Sequence, residues 1–291
     1  HHFQNILDDA YDADTAMLSE TLSGTTDTLT AAAAKTVAGF TAQSFQQKNI
    51  AGDGSTVVDI YYNRNSYTVT YAVTGTVDPN PNYKQADYRF GQNVAAEAAA
   101  AKAGYDFIGW ANEPAVMPAN DVTATGYFVA RTDTAYQVQH YKQNLEDDGF
   151  TLAETEELTG KTDTIATANP KTYTGFTLDR TVEGTVASGN IAGDGSLVLK
   201  LYYTRNSYKV TYQYTGKVPT GASELPAETT EKYGAAVTVA ADATAPGYTF
   251  SGWSQKEDFT MPAENVTITG SFTANGETPY KVEHYQQNLE D

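Results

Sequence analysis

Residues 197–215 read LVLKLYYTRNSYKVTYQYT. Leu197, Leu199, Leu201 and Tyr203 alternate with Val198, Lys200 and Tyr202, the period of two expected of a half-buried strand. After Thr204 to Ser207 a second alternation begins with Tyr208, Val210 and Tyr212. Residues 56–74, TVVDIYYNRNSYTVTYAVT, repeat the design with Val58, Ile60 and Tyr62, then Tyr67, Val69 and Tyr71. Asp59 stands where Lys200 stands, and a position that accepts either sign of charge faces water. In both stretches the two strands meet across a four-residue joint, Asn63 to Ser66 or Thr204 to Ser207, without Gly or Pro. Such a joint leaves little slack, so the modules on either side are expected to pack end to end.

The duplication extends over the whole chain. NIAGDGS at Asn49 to Ser55 returns at Asn190 to Ser196, Gly109-Trp110 returns as Gly252-Trp253, and Met117-Pro118-Ala119 returns as Met261-Pro262-Ala263. The period is about 140 residues, long enough to hold two small domains per copy. His2, His140 and His284 each precede an aromatic and a short polar run ending in Leu7, Leu145 and Leu289, so a third copy opens at the end of the sequence. Splitting each period at its joint gives modules at 1–63 (with its opening strand cut short), 67–130, 136–204 and 208–274, followed by a first strand at 279–291.

Asp53-Gly54, Asp194-Gly195 and Asp148-Gly149 suit hairpin turns with positive φ at glycine. The alanine-rich run from Asn93 to Ala103 has helical propensity, but its counterpart AVTVAADATA at Ala236 to Ala245 favours a strand and loop. At Ala31 to Ala34 a short helical turn is the most that is expected. The chain therefore reads as mainly β with small helical pieces. Modules this small have a low buried fraction, which large aromatics offset. Tyr67, Tyr71, Phe107 and Trp110, and again Tyr208, Tyr212, Phe250 and Trp253, are the expected core, with Trp as its anchor.

Composition narrows the function. The chain has 291 residues and a formal charge of −18, which opposes phosphate backbones and anionic lipid surfaces, so no nucleic-acid partner is expected. With 40% hydrophobic residues and 21 Tyr it can fill real cores. There is no Cys, which excludes disulfides, thiolate metal sites and cysteine nucleophiles. No segment is long and apolar enough to span a membrane, and no basic-then-apolar leader opens the sequence.

YQVQHYKQNLEDDGFTL at Tyr136 to Leu152, LTGKT at Leu158 to Thr162, YTGFTL at Tyr173 to Leu178 and GDGSLVLKLYY at Gly193 to Tyr203 together resemble the mucin-binding-protein (MucBP) repeat. YKVTYQYTG at Tyr208 to Gly216, KYGAAVTV at Lys232 to Val239, GYTFSGW at Gly247 to Trp253 and MPAENVTITGSF at Met261 to Phe272 resemble the internalin B-type (Listeria-Bacteroides) repeat. The resemblance implies four small β-grasp-like modules, mainly β or α+β, in an elongated tandem array. It also implies an extracellular, cell-wall-anchored Gram-positive adhesin whose anchor lies outside these residues. The first copy departs from the pattern at Tyr11 to Met17, where YDADTAM replaces FTLAE.

Two functions from different classes follow. In the first, the repeats are a non-enzymatic stalk that projects a head domain, and four modules end to end would span on the order of 110 Å. In the second, the MucBP-like halves bind mucin glycans or other host surface proteins directly. The ligand candidates are Tyr61 and Tyr202, which alternation points outward and which could stack on sugars, against the plainer reading of cross-strand pairing. For His2, His140 and His284 a structural hydrogen bond is favoured over a metal ligand, since no second ligand stands at useful spacing. Asp8-Asp9 and Glu146-Asp147-Asp148 lack the alternating ligands of a calcium loop and read as solvated turns. No nucleophile triad, phosphate loop or paired-carboxylate cleft is present, so no catalytic, cofactor or metal residue is assigned. The last segment, Tyr280 to Asp291, reads as a strand without a module, expected either to pair with a neighbouring molecule's first module or to be ordered only by crystal packing.

Overall fold

The computed structural model describes residues 1–11, 16–73 and 84–287. It divides into two compact units, His1–Thr132 and Asp133–Asp291. Each unit holds two small mixed sheets, and among the described residues every regular element is a strand.

In the second unit, the third sheet contains β8 (Thr134–Gln143), β9 (Phe150–Gly160), β11 (Phe176–Leu178) and β13 (Val198–Arg205) in the order β11-β13-β8-β9. A ribbon of β10 (Ile165–Thr167) and β12 (Ser188–Asn190) lies in its crossover. The fourth sheet contains β14 (Ser207–Thr215), β15 (Thr229–Lys232), β17 (Tyr248–Phe250) and β19 (Val266–Ala274) in the order β15-β14-β19-β17, with a ribbon of β16 (Ala236–Val237) and β18 (Phe259–Thr260). In both sheets a hairpin comes first, and the last strand runs parallel to the first at the centre.

The first unit repeats this scheme. Its second sheet has β4 (Ser66–Val73), β5 (Gln85–Arg89), β6 (Tyr105–Ala111) and β7 (Val122–Ala130) in the order β5-β4-β7-β6, again with a parallel central pair. Among the described residues its first sheet contains β1 (His2–Gln4), β2 (Phe40–Ala42) and β3 (Ile60–Arg64), in the order β1-β3-β2. Where β9 lies in the third sheet, the first sheet has two isolated bridges, His2 to Leu18 and Asn5 to Tyr11. The departure from the repeat at Tyr11 to Met17 falls partly outside the described residues, as does the end of the tail.

A parallel central pair needs a crossover, a place often taken by a helix. The helical turn allowed at Ala31 to Ala34 is absent, and the Asn93 to Ala103 run is extended, as its counterpart at Ala236 to Ala245 implies. The polar tips of the core aromatics hold the crossovers extended. Trp110 Nε1 donates to the Ala98 carbonyl at 3.1 Å and Trp253 Nε1 to Ala241 at 3.0 Å, while the Tyr212 hydroxyl accepts from Ala240 N at 2.8 Å. A backbone group engaged by a ring far along the chain is not free to close a helical turn.

The alternation read from sequence sets the cores. Leu199, Leu201 and Tyr203 are buried with Val138 and Ile191, and Val210 and Ile268 with Trp253 and Met261. Val69 and Tyr71 pack with Met117 and Ala124, and Trp110 is half-buried against them, so only Trp253 is a fully enclosed anchor. The joints are shorter than the four residues expected: a single residue, Asn65 or Asn206, separates β3 from β4 and β13 from β14. Gly54 and Gly195 have the expected positive φ, 72° and 76°, but Gly149 does not. The β8–β9 hairpin is closed instead by Asp147 Oδ1, which accepts from Gly149 N at 2.7 Å.

Candidate functional site

The joints carry the most heavily built polar geometry. In the second unit Arg205 ends β13, and its Nε donates to the Gln143 carbonyl at 2.9 Å. Nη1 of the same guanidinium donates to the carbonyl of Tyr233, in the turn after β15 of the fourth sheet, at 2.7 Å. The group lies 4.9 Å above the Phe176 ring, and Phe176 meets Tyr233 edge-on at 5.9 Å. Asn206 donates its N–H to Gly175 O at 2.9 Å, and its carbonyl accepts from Tyr233 N at 2.8 Å. Its side-chain oxygen accepts from Thr177 Oγ1 at 2.7 Å. Gly175 has a φ of +77°, and a Cβ there would lie 2.3 Å from the Tyr233 ring. One guanidinium therefore ties two sheets through two carbonyls and a ring face, a geometry that the planar fork of arginine allows and lysine does not.

The first unit has the same joint. Arg64 Nε donates to Asn5 O at 2.7 Å and Nη1 to Phe90 O at 2.7 Å, with the group 5.0 Å above Phe40. Phe40 meets Phe90 edge-on at 5.6 Å. Asn65 bonds Gly39 O and Phe90 N, each at 2.9 Å, and accepts from Thr41 Oγ1 at 2.7 Å. Gly39 has a φ of +78° and the same 2.3 Å approach, here to Phe90. Burial, then the nearby Arg89, lowers the Arg64 pKa, but a guanidinium remains charged. Sequence reading marked the joint as short and missed its arginine. The available signal was that Gly39, Phe40, Arg64 and Asn65 return as Gly175, Phe176, Arg205 and Asn206.

The histidines form a second repeated cluster. His140 is fully buried at the bulge in β8. Its Nδ1 lies 3.1 Å from the Tyr203 hydroxyl, which also accepts from Lys171 N at 2.9 Å. Glu156 lies 3.7 Å from Nε2 and pairs with Lys171, which also pairs with Glu154. His2, Tyr62, Lys35 and Glu20 repeat the set, with His2 Nδ1 3.0 Å from Tyr62 and Lys35 2.8 Å from Glu20. Hydrogen bonds from the lysines, above all, hold Glu20, Glu154 and Glu156 below the usual carboxylate range. Burial and the bond to Glu154 push the Tyr173 phenol up to about 12. His284 lies in no strand. Asp147 is occupied by Asn144 and Gly149 in its own turn.

Tyr61 and Tyr202 lie on the face opposite the cores, each in a cross-strand aromatic stack. Tyr202 stacks on Tyr141 at 4.9 Å and takes the edge of Phe150 at 5.1 Å, which leaves it half-buried. Tyr61 stacks on Phe3 at 5.3 Å, meets Tyr11 at 4.9 Å, and is 38% exposed, the more open of the two.

Residues 67–133 match the Listeria-Bacteroides repeat domain, and residues 208–276 the divergent InlB B-repeat domain. Each of the two tryptophan-bearing sheets thus falls in a segment that matches an internalin-type repeat model. No curated protein sequence matches the chain. Among solved structures it is similar to the Bacillus anthracis TIE protein, at 8% identity and a TM-score of 0.34. That match covers 75% of this chain and 52% of the other, about half its length. It is also similar to domains 3–4 of the Streptococcal High Identity Repeats in Tandem from a cell surface protein, at 16% identity and a TM-score of 0.23. Here 47% of this chain and 96% of the other are covered. No described helix is long and apolar enough to cross a membrane.

Proposed function

We propose that the chain is a stalk region of a bacterial cell-surface adhesin, which holds a head domain away from the cell wall and performs no catalysis. MucBP-like modules at 1–63 and 136–204 alternate with internalin-type repeats at 67–130 and 208–274, and 279–291 opens a further repeat. The observation that carries this reading is the duplicated joint: in each unit one residue links two sheets, and an arginine, an asparagine and an aromatic pair fix them. A joint built twice with the same bonds suits a part whose work is to transmit position. The acidic charge keeps such an array soluble and resists lateral association. Small-angle scattering of the whole chain tests the reading. A maximum dimension on the order of 110 Å or more is expected, and a compact particle would refute it.

Direct glycan binding is the second reading, favoured by the open stack of Tyr61 on Phe3. Tyr61→Ala would then abolish binding on a glycan array while the fold persists, and Tyr202→Ala would have the smaller effect because its ring is more covered. An array that stays blank for the unaltered chain removes this reading.

A further inference from the structure

The second and fourth sheets correspond residue by residue, yet their outer faces differ. The repeat sets Ile108 against Ser251, Tyr127 against Ser271 and Val129 against Thr273. The fourth sheet thus turns hydroxyls to water at these places, whereas in the second Ile108 is 65% exposed, Tyr127 48% and Val129 54%. Register brings the three together: Tyr127 stands opposite Gly109, Val129 opposite Asp106, and Ile108 occupies the bulge between Phe107 and Gly109. Phe107 and Trp110 point to the other face, where both would meet a Cβ on buried Gly126. The fold does not need the apolar trio, because the fourth sheet keeps the same strand order with hydroxyls in its place.

Adjacent apolar side chains held in water on a regular strand face mark a surface that another molecule covers. The charge of this face says which. In a chain of formal charge −18, strands β4, β6 and β7 together carry one charged residue, Asp106. A partner that recognises charge finds almost none here to bind. An identical face fits, since apolar side chains meet apolar side chains and Asp106, on the edge strand beside Val129, stays hydrated at the rim. It is also a rare part of this acidic chain that can approach its own copy without bringing like charges together.

We infer that the outer face of β6 and β7 docks on the same face of a second copy of this chain, about a twofold axis. The bulge in β6 works against pairing edge to edge, because it twists the edge strand away from a neighbour. The faces therefore pack, about 10 Å apart, with Ile108, Tyr127 and Val129 of each copy interleaved. β7 has nine residues, about 30 Å of strand, and β4, β7 and β6 together are about 10–15 Å across. Each copy then buries about 300–450 Å², against about 800 Å² per partner in a stable complex. Pairing is accordingly weak between free chains and grows where chains are crowded side by side. It gives each chain a lateral grip on its neighbour, and it holds whether or not the chain is a stalk.

Sedimentation of the whole chain over a wide concentration range, at about 0.05 M and about 0.5 M salt, tests the pairing. The average mass should rise with concentration, and more steeply at the higher salt, which screens the repulsion between acidic chains. A chain with Ile108→Ser, Tyr127→Ser and Val129→Thr carries at each position the residue of the fourth sheet, and should associate at least about tenfold more weakly. Circular dichroism checks that its fold persists. Should it not, Val129→Thr alone, which keeps the side chain's shape, should still weaken association. Amide signals that move with concentration should belong to β6 and β7. A chain that stays monomeric at every concentration would give the face to a different partner and overturn self-pairing. Association that ignores these substitutions, weakens with salt, or moves signals of other strands instead would overturn it as well.

Discussion

The first and third sheets share a sequence pattern, a parallel pair and the joint, yet differ in closure. At the joint end they agree closely: the arginine reaches the next sheet's carbonyl at 2.7 Å in each, and the glycine Cβ approach is 2.3 Å in each. At the opposite end β8 covers Leu199 with Val138 and Tyr136, whereas Val58 and Ile50 border a cavity. The joint keeps its geometry although the core behind it is open in one copy. Its position is thus set locally, by the arginine, the asparagine and the aromatic pair, and does not depend on complete filling of the sheet.

Core truncation sharpens this contrast most. Leu199→Ala in the closed sheet should cost about 2–5 kcal/mol, because the enclosed site cannot collapse. Val58→Ala in the open one should cost roughly 1 kcal/mol, since it is already partly exposed. Hydrogen exchange at β13 and β3 amides reads each sheet separately, which matters because a chain of several units does not unfold in one step. Equal costs would mean that the cavity is closed in solution.

At the joints the two copies should respond alike. Gly175→Ala and Gly39→Ala each force a side chain into positive φ against a ring, at about 1–3 kcal/mol. A tolerated substitution at either would show that the ring moves aside freely. Tyr203→Phe removes the hydroxyl shared by buried His140 and Lys171 N, at about 1–3 kcal/mol. Tyr62→Phe should cost less, because the corresponding His2 borders the cavity, where water can replace the lost bond.

The smallest effect is in acid. Glu154 and Glu156 are held below the ordinary carboxylate value of 4.5 chiefly by hydrogen bonds from Lys171, and Glu20 by one from Lys35. A depressed carboxylate contributes stability above its unfolded pKa and loses it as pH falls through the folded one. Acidification from about pH 6 to about pH 3 should therefore weaken both sheets, the third more because two carboxylates share its lysine. All of these groups are solvent-facing, so the change is modest. Lys171→Gln should flatten the pH dependence of β13 exchange, and an unchanged slope would remove the lysine from the account.

Much of this was legible in the sequence. The period of two in LVLKLYY places Leu199, Leu201 and Tyr203 inward, and the 141-residue shift from Tyr62 to Tyr203 marks one design used twice. Alternation assigns a residue only to an inside or an outside, however, and Arg205 is neither: its guanidinium lies over Phe176 while reaching two carbonyls. The extended crossovers were legible only by comparing the two copies, Asn93 to Ala103 with Ala236 to Ala245. Alanine favours helix by local propensity, and the bonds that override it come from Trp110 and Trp253, each 12 residues away. Tyr61 and Tyr202 were placed outward correctly, but their degree of cover depends on Phe3, Tyr11, Tyr141 and Phe150, which no local pattern brings together.

Residual dipolar couplings of the whole chain, compared between the third and fourth sheets, test the joint most directly. A fixed joint predicts that amides of β8 and β13 and those of β14 and β19 fit one alignment tensor, and that Arg205→Lys splits it in two. Two unequal tensors in the unaltered chain, or a single one that survives Arg205→Lys, would contradict the arginine-fixed joint.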